Sequence, residues 1–225
     1  MAQTLPRVGT RASVRAARIR ACKRALDITV ALAALLLLSP VLLVTWLLVR
    51  LSGSGDAVFR QPRVGRDGVL FVLYKFRTMH ADAPDDVHRE YVRRSLAADR
   101  PAAYGTRGLY KLANDPRITR VGALLRRTSI DELPQLVNVL RGDMSLVGPR
   151  PALPYEVEMF GPDYAARFRV PPGLTGLWQV SGRNRLTMRQ GLELDLEYVR
   201  RHGLLLDLTI LLRTVPAVLR IGSAR

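Results

Sequence analysis

The chain has one cysteine among its 225 residues, Cys22, and only three histidines, His80, His88 and His202. An internal disulfide is therefore excluded, and histidines so far apart suggest no zinc site. Negative charge is also scarce. Nineteen Asp+Glu stand against 35 Lys+Arg, a formal net charge of +16, which predicts a surface that attracts polyanions such as nucleic acid, anionic lipid or phosphorylated small molecules. Repeats and low-complexity tracts are absent beyond a basic amino-terminal stretch. A chain of this length can bury a sizeable core as one domain without a metal or disulfide staple.

What the chain does have is one long apolar run. Residues 28–49 carry no charged side chain, and 22 residues are enough to span a bilayer as a straight helix. Pro40 lies near the middle, however, and removes a backbone donor, so a kink is expected at Ser39-Pro40. The arms, residues 28–39 and 41–49, would be only about 18 and 14 Å long at about 1.5 Å per residue, against a hydrocarbon core of about 30 Å. Ser39 is placed to give its hydroxyl to a carbonyl freed by the proline. Both flanks are basic: residues 1–66 hold eleven Lys+Arg against Asp27 and Asp56, so the positive-inside rule puts both ends on the cytoplasmic side. A helix that enters, bends and returns to the same face meets all three conditions; a kinked span is the alternative. The long basic preface and the lack of a small-residue cleavage site argue against a secretory signal.

The remainder divides at glycines and prolines. Residues 58–61 and 69–74 read as strands of a β-hairpin around Arg66-Asp67-Gly68, ending in Lys75-Phe76-Arg77-Thr78-Met79. Residues 80–108 read as a polar surface insertion with an amphipathic helix over 87–96. Helical patterns follow over 121–127 and 133–140, the second stopped by Gly142, and then over 188–201. Gly148-Pro149-Arg150-Pro151 is expected to be a rigid loop, since each proline restricts its predecessor. Residues 204–221 carry an apolar face that suits either the membrane surface or helix packing. The division expected is a disordered basic tail over 1–22, a membrane helix over 23–50, and a membrane-associated domain over 51–225.

Chemistry concentrates in Arg126-Arg127-Thr128-Ser129-Ile130-Asp131-Glu132-Leu133-Pro134. Ser129 and Glu132 match a capping box, and Asp131 suits the positive end of a helix. The same placement, beside arginines, suits a carboxylate that attacks phosphorus, so capping and catalysis are both open for Asp131. Lys75, Arg77, Arg126, Arg127, Arg150 and Arg183 are the cations set to grip phosphate, and together they suggest a pyrophosphate-bearing ligand.

Six ordered segments carry a resemblance over about residues 23–219: Lys23-Arg24-Ala25-Leu26-Asp27, Ser39-Pro40, Lys75-Phe76-Arg77-Thr78-Met79, Thr128 to Gln135, Asp143 to Pro151, and Gly173-Leu174-Thr175-Gly176-Leu177-Trp178-Gln179. In these the chain resembles the bacterial sugar transferase family of monotopic phosphoglycosyl transferases. The resemblance implies a mainly helical α+β fold, with a re-entrant helix broken at Ser39-Pro40 and a small helical domain with an associated β-hairpin. It implies a place on the cytoplasmic face of the bacterial inner membrane, with Asp131 and Glu132 as a catalytic pair. Asp131 would attack the β-phosphorus of a UDP-sugar, release UMP, and pass the sugar phosphate to undecaprenyl phosphate in a ping-pong reaction with Mg²⁺, held by Asp131 and Glu132. Lys75, Arg150 and Arg183 match family positions linked to phosphate or substrate. Such reactions begin exopolysaccharide, capsule, O-antigen or glycoprotein glycan synthesis. No nucleic-acid partner is implied, and dimerisation is left open. The alternative is a non-catalytic basic module that binds anionic lipid or nucleic acid.

Overall fold

Pro40 decides the shape of the first fifty residues. The computed structural model describes residues 10–80, 86–98, 106–108, 111–112, 115–182 and 186–223. In it helix α1 (Thr10–Leu37) and helix α2 (Ser39–Leu51) meet at Leu38 with a bend of 64°. Pro40 has no N–H to give the Leu36 carbonyl four residues back, and the Ser39 hydroxyl takes that carbonyl instead, at 2.8 Å. Among the described residues no single helix is long and apolar enough to cross a membrane; residues 17–37 and Ser39–Leu51 reach that length and apolarity only as a bent pair. Leu36, Leu37, Leu43, Val44 and Leu47 around the elbow are exposed.

The tail departs from expectation. α1 begins at Thr10, so residues 10–22, expected to be disordered, continue the helix; Ala12, Ala16, Ala17 and Ala21 are strong helix formers. Residues 1–9 lie outside the described residues.

After α2 the chain forms the antiparallel hairpin of β1 (Val58–Val64) and β2 (Leu70–Phe76), longer than its sequence pattern suggested and in continuous register from Val58 opposite Phe76 to Val64 opposite Leu70. Its turn holds Asp67 at φ 56° and Gly68 at φ 79°. Helix α3 (Asp86–Ala97) follows, then the short pair β3 (Thr106–Gly108) and β4 (Lys111–Leu112), helix α4 (Arg120–Thr128) and helix α5 (Gln135–Arg141). Strand β5 (Ser145–Val147), helix α6 (Pro154–Phe160) and strand β6 (Gly173–Thr175) come next. Helices α7 (Leu177–Ser181), α8 (Met188–Arg201) and α9 (Leu204–Ser223) complete the described chain. The fold is mainly helical α+β.

Two elements differ from the sequence reading. The 80–108 segment is not confined to the surface: Val92 of α3 is fully buried in a cluster with Ala152, Leu153, Tyr155, Phe160, Met188 and Leu192. Strands β5 and β6 were not foreseen. They pair in parallel, with Ser145 opposite Gly173 and Val147 opposite Thr175, and the backbones approach so closely that a Cβ on Gly173 would lie 2.0 Å from the Gly148 nitrogen. Only glycine fits such an approach.

Both ends of the apolar hairpin dock on this one body. From α1, Lys23 lies 2.5 Å from the Asp207 carboxylate of α9 and donates to the Val147 carbonyl, while Arg24 caps the carboxyl end of α5 through the Val139 and Leu140 carbonyls. Asp27, buried, accepts from the Ser145 hydroxyl and the Leu146 N–H. From the other end, Val49 of α2 packs with Ala57, Phe76 and Leu125. Asp207 is 1% exposed, so removing its cation leaves an uncompensated buried charge. Lys23→Met should lower unfolding stability by about 3–5 kcal/mol, read as the shift in the denaturation midpoint of detergent-solubilised protein; Lys23→Met with Asp207→Asn should recover most of the loss.

Candidate functional site

The site begins at a residue in an unfavourable conformation. α4 stops at Thr128, whose hydroxyl turns back on the Leu124 and Leu125 carbonyls, and Ser129 follows at φ 59°, in the left-handed region that a side chain disfavours. One 3₁₀ turn, Ile130–Glu132, then precedes α5. The expected capping box is absent. A capping serine needs extended backbone, whereas left-handed Ser129 makes no side-chain cap and its carbonyl accepts the Glu132 N–H at 3.2 Å. The helix expected from residue 133 starts at Gln135. With about three residues per turn, neighbouring side chains of the 3₁₀ turn diverge by roughly 120°. Asp131 accordingly points inward, 5% exposed, while Glu132 is half-buried.

The hairpin brings cations to this turn. Lys75, near the end of β2, is half-buried with its ammonium 4.9 Å from the centre of the Phe59 ring. Burial and then the Arg63 guanidinium pull the Lys75 ammonium down to about 8, opposed by Asp131 and, more weakly, Glu132. Arg126, half-buried on α4, is also lowered by burial, with Asp131 and Asp115 pulling it back up. Asp115 is held below its ordinary range chiefly by hydrogen bonds from Arg117, whose Nε and Nη2 donate to its two oxygens at 2.8 and 2.7 Å. Lys75 and Arg126 thus share the field of Asp131 and Glu132. Arg127 is exposed, and Arg183 lies outside the described residues.

Arg77 has another role. Its guanidinium donates to the carbonyls of Val49 and Gly53 at 3.1 and 3.0 Å and to that of Ser54, so it fastens the exit of α2 to the hairpin. A buried arginine committed to three carbonyls is a structural staple, in place of the phosphate ligand expected from sequence.

Arg150 is on the foreseen rigid loop, between β5 and α6. The Pro149 carbonyl accepts the Gly173 N–H at 2.8 Å, and the Arg150 carbonyl accepts from Arg167 at 2.9 Å. Its guanidinium bonds the Glu156 carboxylate at 3.1 Å. Three residues here escaped the sequence reading: Arg63 on β1, Glu156 on α6 and Arg167. Arg63, buried beside Lys75 and Glu156, is pulled down to about 10, by burial first and Arg150 second. Arg167, also buried, pairs with Asp195 at 2.6 Å; burial raises that carboxyl to about 6, against the opposing pull of Arg167. Nothing in the local sequence marks these as buried, because an arginine in a strand or a glutamate in a first helical turn is ordinarily solvated.

Asp131 and Glu132 suit a Mg²⁺ ion on chemical grounds. Among the described residues no cluster of three or more Asp, Glu, His or Cys could hold a metal, and Mg²⁺ is usually bound by one or two carboxylates completed by substrate phosphates and water. An open groove of about 670 Å³, lined by Ile19, Leu177, Leu204, Leu205 and Arg213 among others, lies elsewhere, and none of the candidate residues lines it.

A family model described as bacterial sugar transferase matches residues 18–221. The chain is 46% identical over 199 residues to the exopolysaccharide production protein ExoY of Rhizobium meliloti (strain 1021), covering 87% of this chain and 84% of that one. It is 43% identical over 212 residues to the UDP-glucose:undecaprenyl-phosphate glucose-1-phosphate transferase of Caulobacter vibrioides, covering 90% and 71%. It is also 43% identical to the undecaprenyl-phosphate galactose phosphotransferase of Salmonella typhimurium, over 91% of this chain but 42% of the relative. With the model matched over nearly the whole chain and identities above 40% across most of it, the chain belongs to the bacterial sugar transferase family.

Proposed function

We propose that the protein is a phosphoglycosyl transferase that moves a sugar 1-phosphate from a UDP-sugar to undecaprenyl phosphate, with Asp131 as nucleophile. The observation that carries this reading is the buried Asp131 carboxylate on a strained turn, with Lys75 and Arg126 in its field and Glu132 beside it. The relatives named above, whose names specify such transfers, support it.

A carboxylate is a weak nucleophile, and burial helps it by removing water. An Asp131 oxygen attacks the β-phosphorus of the donor; the bond to the bridging oxygen breaks and UMP departs with the electron pair. The resulting acyl phosphate carries the sugar on the enzyme. A phosphate oxygen of undecaprenyl phosphate then attacks the same phosphorus, which frees Asp131 and gives the diphosphate-linked sugar. Lys75, Arg126 and Arg150 neutralise the phosphates as charge shifts between them. Mg²⁺, held by Asp131 or Glu132, supplies further charge neutralisation when bound.

The acceptor's phosphate lies at headgroup depth, and the apolar hairpin suits that depth. Its two ends dock on one body, and neither described helix is at once long and apolar enough to cross, which supports a re-entrant helix on the cytoplasmic face of the inner membrane. The exposed stripe Leu205, Leu208, Leu212 and Val215 on α9 suits the same interface. This step would open exopolysaccharide or a related glycan synthesis.

Asp131→Asn should reduce turnover more than about 10⁴-fold, followed as UMP release with undecaprenyl phosphate and Mg²⁺. Mass spectrometry of wild type quenched with its donor should show a phosphosugar adduct on Asp131; an active Asn variant would reject the assignment.

Protonation of Lys75 gives a second expectation. The free enzyme needs the ammonium to bind the donor, and deprotonation begins near pH 8, so kcat/KM for the donor should fall as pH rises through about 8, by roughly tenfold per unit beyond it. In Lys75→Arg that alkaline limb should move well upward; a limb that stays in place assigns the titration to another group.

A further inference from the structure

Glu156 is held by more charge than its local role requires. It occupies the first turn of α6 and accepts the Leu153 N–H at 2.7 Å, the glutamate half of a capping box. That cap needs one acceptor oxygen, which a glutamine supplies as well, and caps of this kind are normally solvated. Glu156 is instead 0% exposed. Its Oε2 lies 3.1 Å from Arg150 Nη1 and 3.9 Å from Arg63 Nη1. Burial would raise its pKa, yet Arg150 first, then Arg63 and the Leu153 N–H, hold the carboxyl below its ordinary range. A buried carboxylate carries a desolvation cost that capping alone does not explain.

The two guanidiniums point to what the charge does. Arg63 donates to the Pro151 carbonyl at 3.0 Å and to Gln61 at 2.8 Å, tying the hairpin to the Arg150 loop. It also acts on Lys75 and feels Glu132, so this cluster and the Asp131 turn form one electrostatic unit. Arg150 has its backbone fixed on both sides by proline and its carbonyl held by Arg167, while its side chain remains 20% exposed. A partly exposed guanidinium, gripped from behind by a buried anion, is preorganised to take a second anion from in front.

We infer that Glu156 is a positioning residue that fixes the Arg150 guanidinium, with Arg63 as its second brace, to bind the diphosphate of the nucleotide-sugar donor. This rests on the donor class proposed above but not on the covalent step. It gives Glu156 no contact with substrate.

The test is Glu156→Gln in the full chain, which keeps the volume and the acceptor for the Leu153 N–H but removes the charge. Donor KM should rise about ten- to a hundredfold, the size of a lost charge-assisted bond, while the acceptor KM changes less than about twofold. UDP affinity measured by calorimetry with Mg²⁺ should fall by the same factor as the donor KM rises. In an Arg150→Met background the same substitution should have little further effect on UDP affinity, the coupling expected of a residue that acts through another. Unchanged UDP affinity in Glu156→Gln would overturn the inference, as would an equal loss with and without Arg150. If Glu156→Gln does not fold, Glu156→Asp, which keeps the charge but withdraws it by one methylene, should fold and show the same raised donor KM; wild-type UDP affinity in it overturns the inference too. Absence of an Asp131 adduct, with UDP binding still sensitive to Glu156, would strike the covalent mechanism alone.

Discussion

The ion pair between Lys23 and Asp207 fixes where every other group stands relative to the apolar hairpin. Four elements meet there: Lys23 comes from α1, Asp207 from α9, the Val147 carbonyl from β5, and the Tyr198 hydroxyl from α8 bonds both Val147 and Asp207. Burial, and then Asp207, pushes the tyrosine well above its usual range, so it stays a neutral donor. Buried pairs of this kind roughly break even against apolar packing, and their value lies in admitting one arrangement. Here that arrangement sets the angle at which α1 leaves the domain. A helix anchored only by leucines could slide by a turn, about 5.4 Å, and change the height of the Asp131 turn relative to the apolar hairpin.

The same economy of charge governs the interior. Arg77, Arg24 and Arg167 are spent on backbone carbonyls or a buried aspartate, and Arg63 on the Arg150 loop. The large positive excess therefore overstates the charge offered to a substrate. Much of it holds together a fold whose sheets have only two strands each among the described residues and which lacks the long β-ladders that tie other α+β domains together. Arginine suits this use because its planar fork satisfies two or three carbonyls at once, as Arg77 does at the end of α2.

Much of the fold was legible because backbone rules are local. Pro40 announces its own break, Gly142 stops α5 at φ 94°, and the turn Arg66-Asp67-Gly68 between two strand-like runs announces the hairpin. The carboxylate pair was legible as well, though its geometry was not. Ser129 obeys the residue rule for a cap but sits left-handed, a choice made by the packing of α4 and the hairpin against the turn. The roles of Arg77, Glu156 and Arg167 were hidden for a related reason: whether a charged side chain meets water, a carbonyl or another charge depends on segments tens of residues away. Arg63 and Glu156 lie 93 positions apart, and the Arg150 loop that joins them is held to β6 by the close approach of Gly148 and Gly173 and by backbone hydrogen bonds between Gly173 and Pro149 and between Gly148 and Thr175.

The proposed ping-pong transfer between two anions would set a requirement that the mixture of cations suits. A site that grips a diphosphate with several permanent, unpaired guanidiniums binds product as well as it binds donor, and slow UMP release would limit turnover. In this structure Arg150 already shares its charge with a buried carboxylate, and burial and Arg63 pull the Lys75 ammonium down to about 8. Arg150 therefore offers a directed hydrogen bond with less net charge than its residue type suggests. The attraction then depends on what the ligand brings: a diphosphate at the β-phosphorus is held by several partial charges together, whereas UMP, once separated from the transferred phosphate, loses part of that set. On the proposed reaction, discrimination between donor and leaving group would arise in this way without movement of the backbone, which the paired prolines and close glycine contacts around Arg150 oppose.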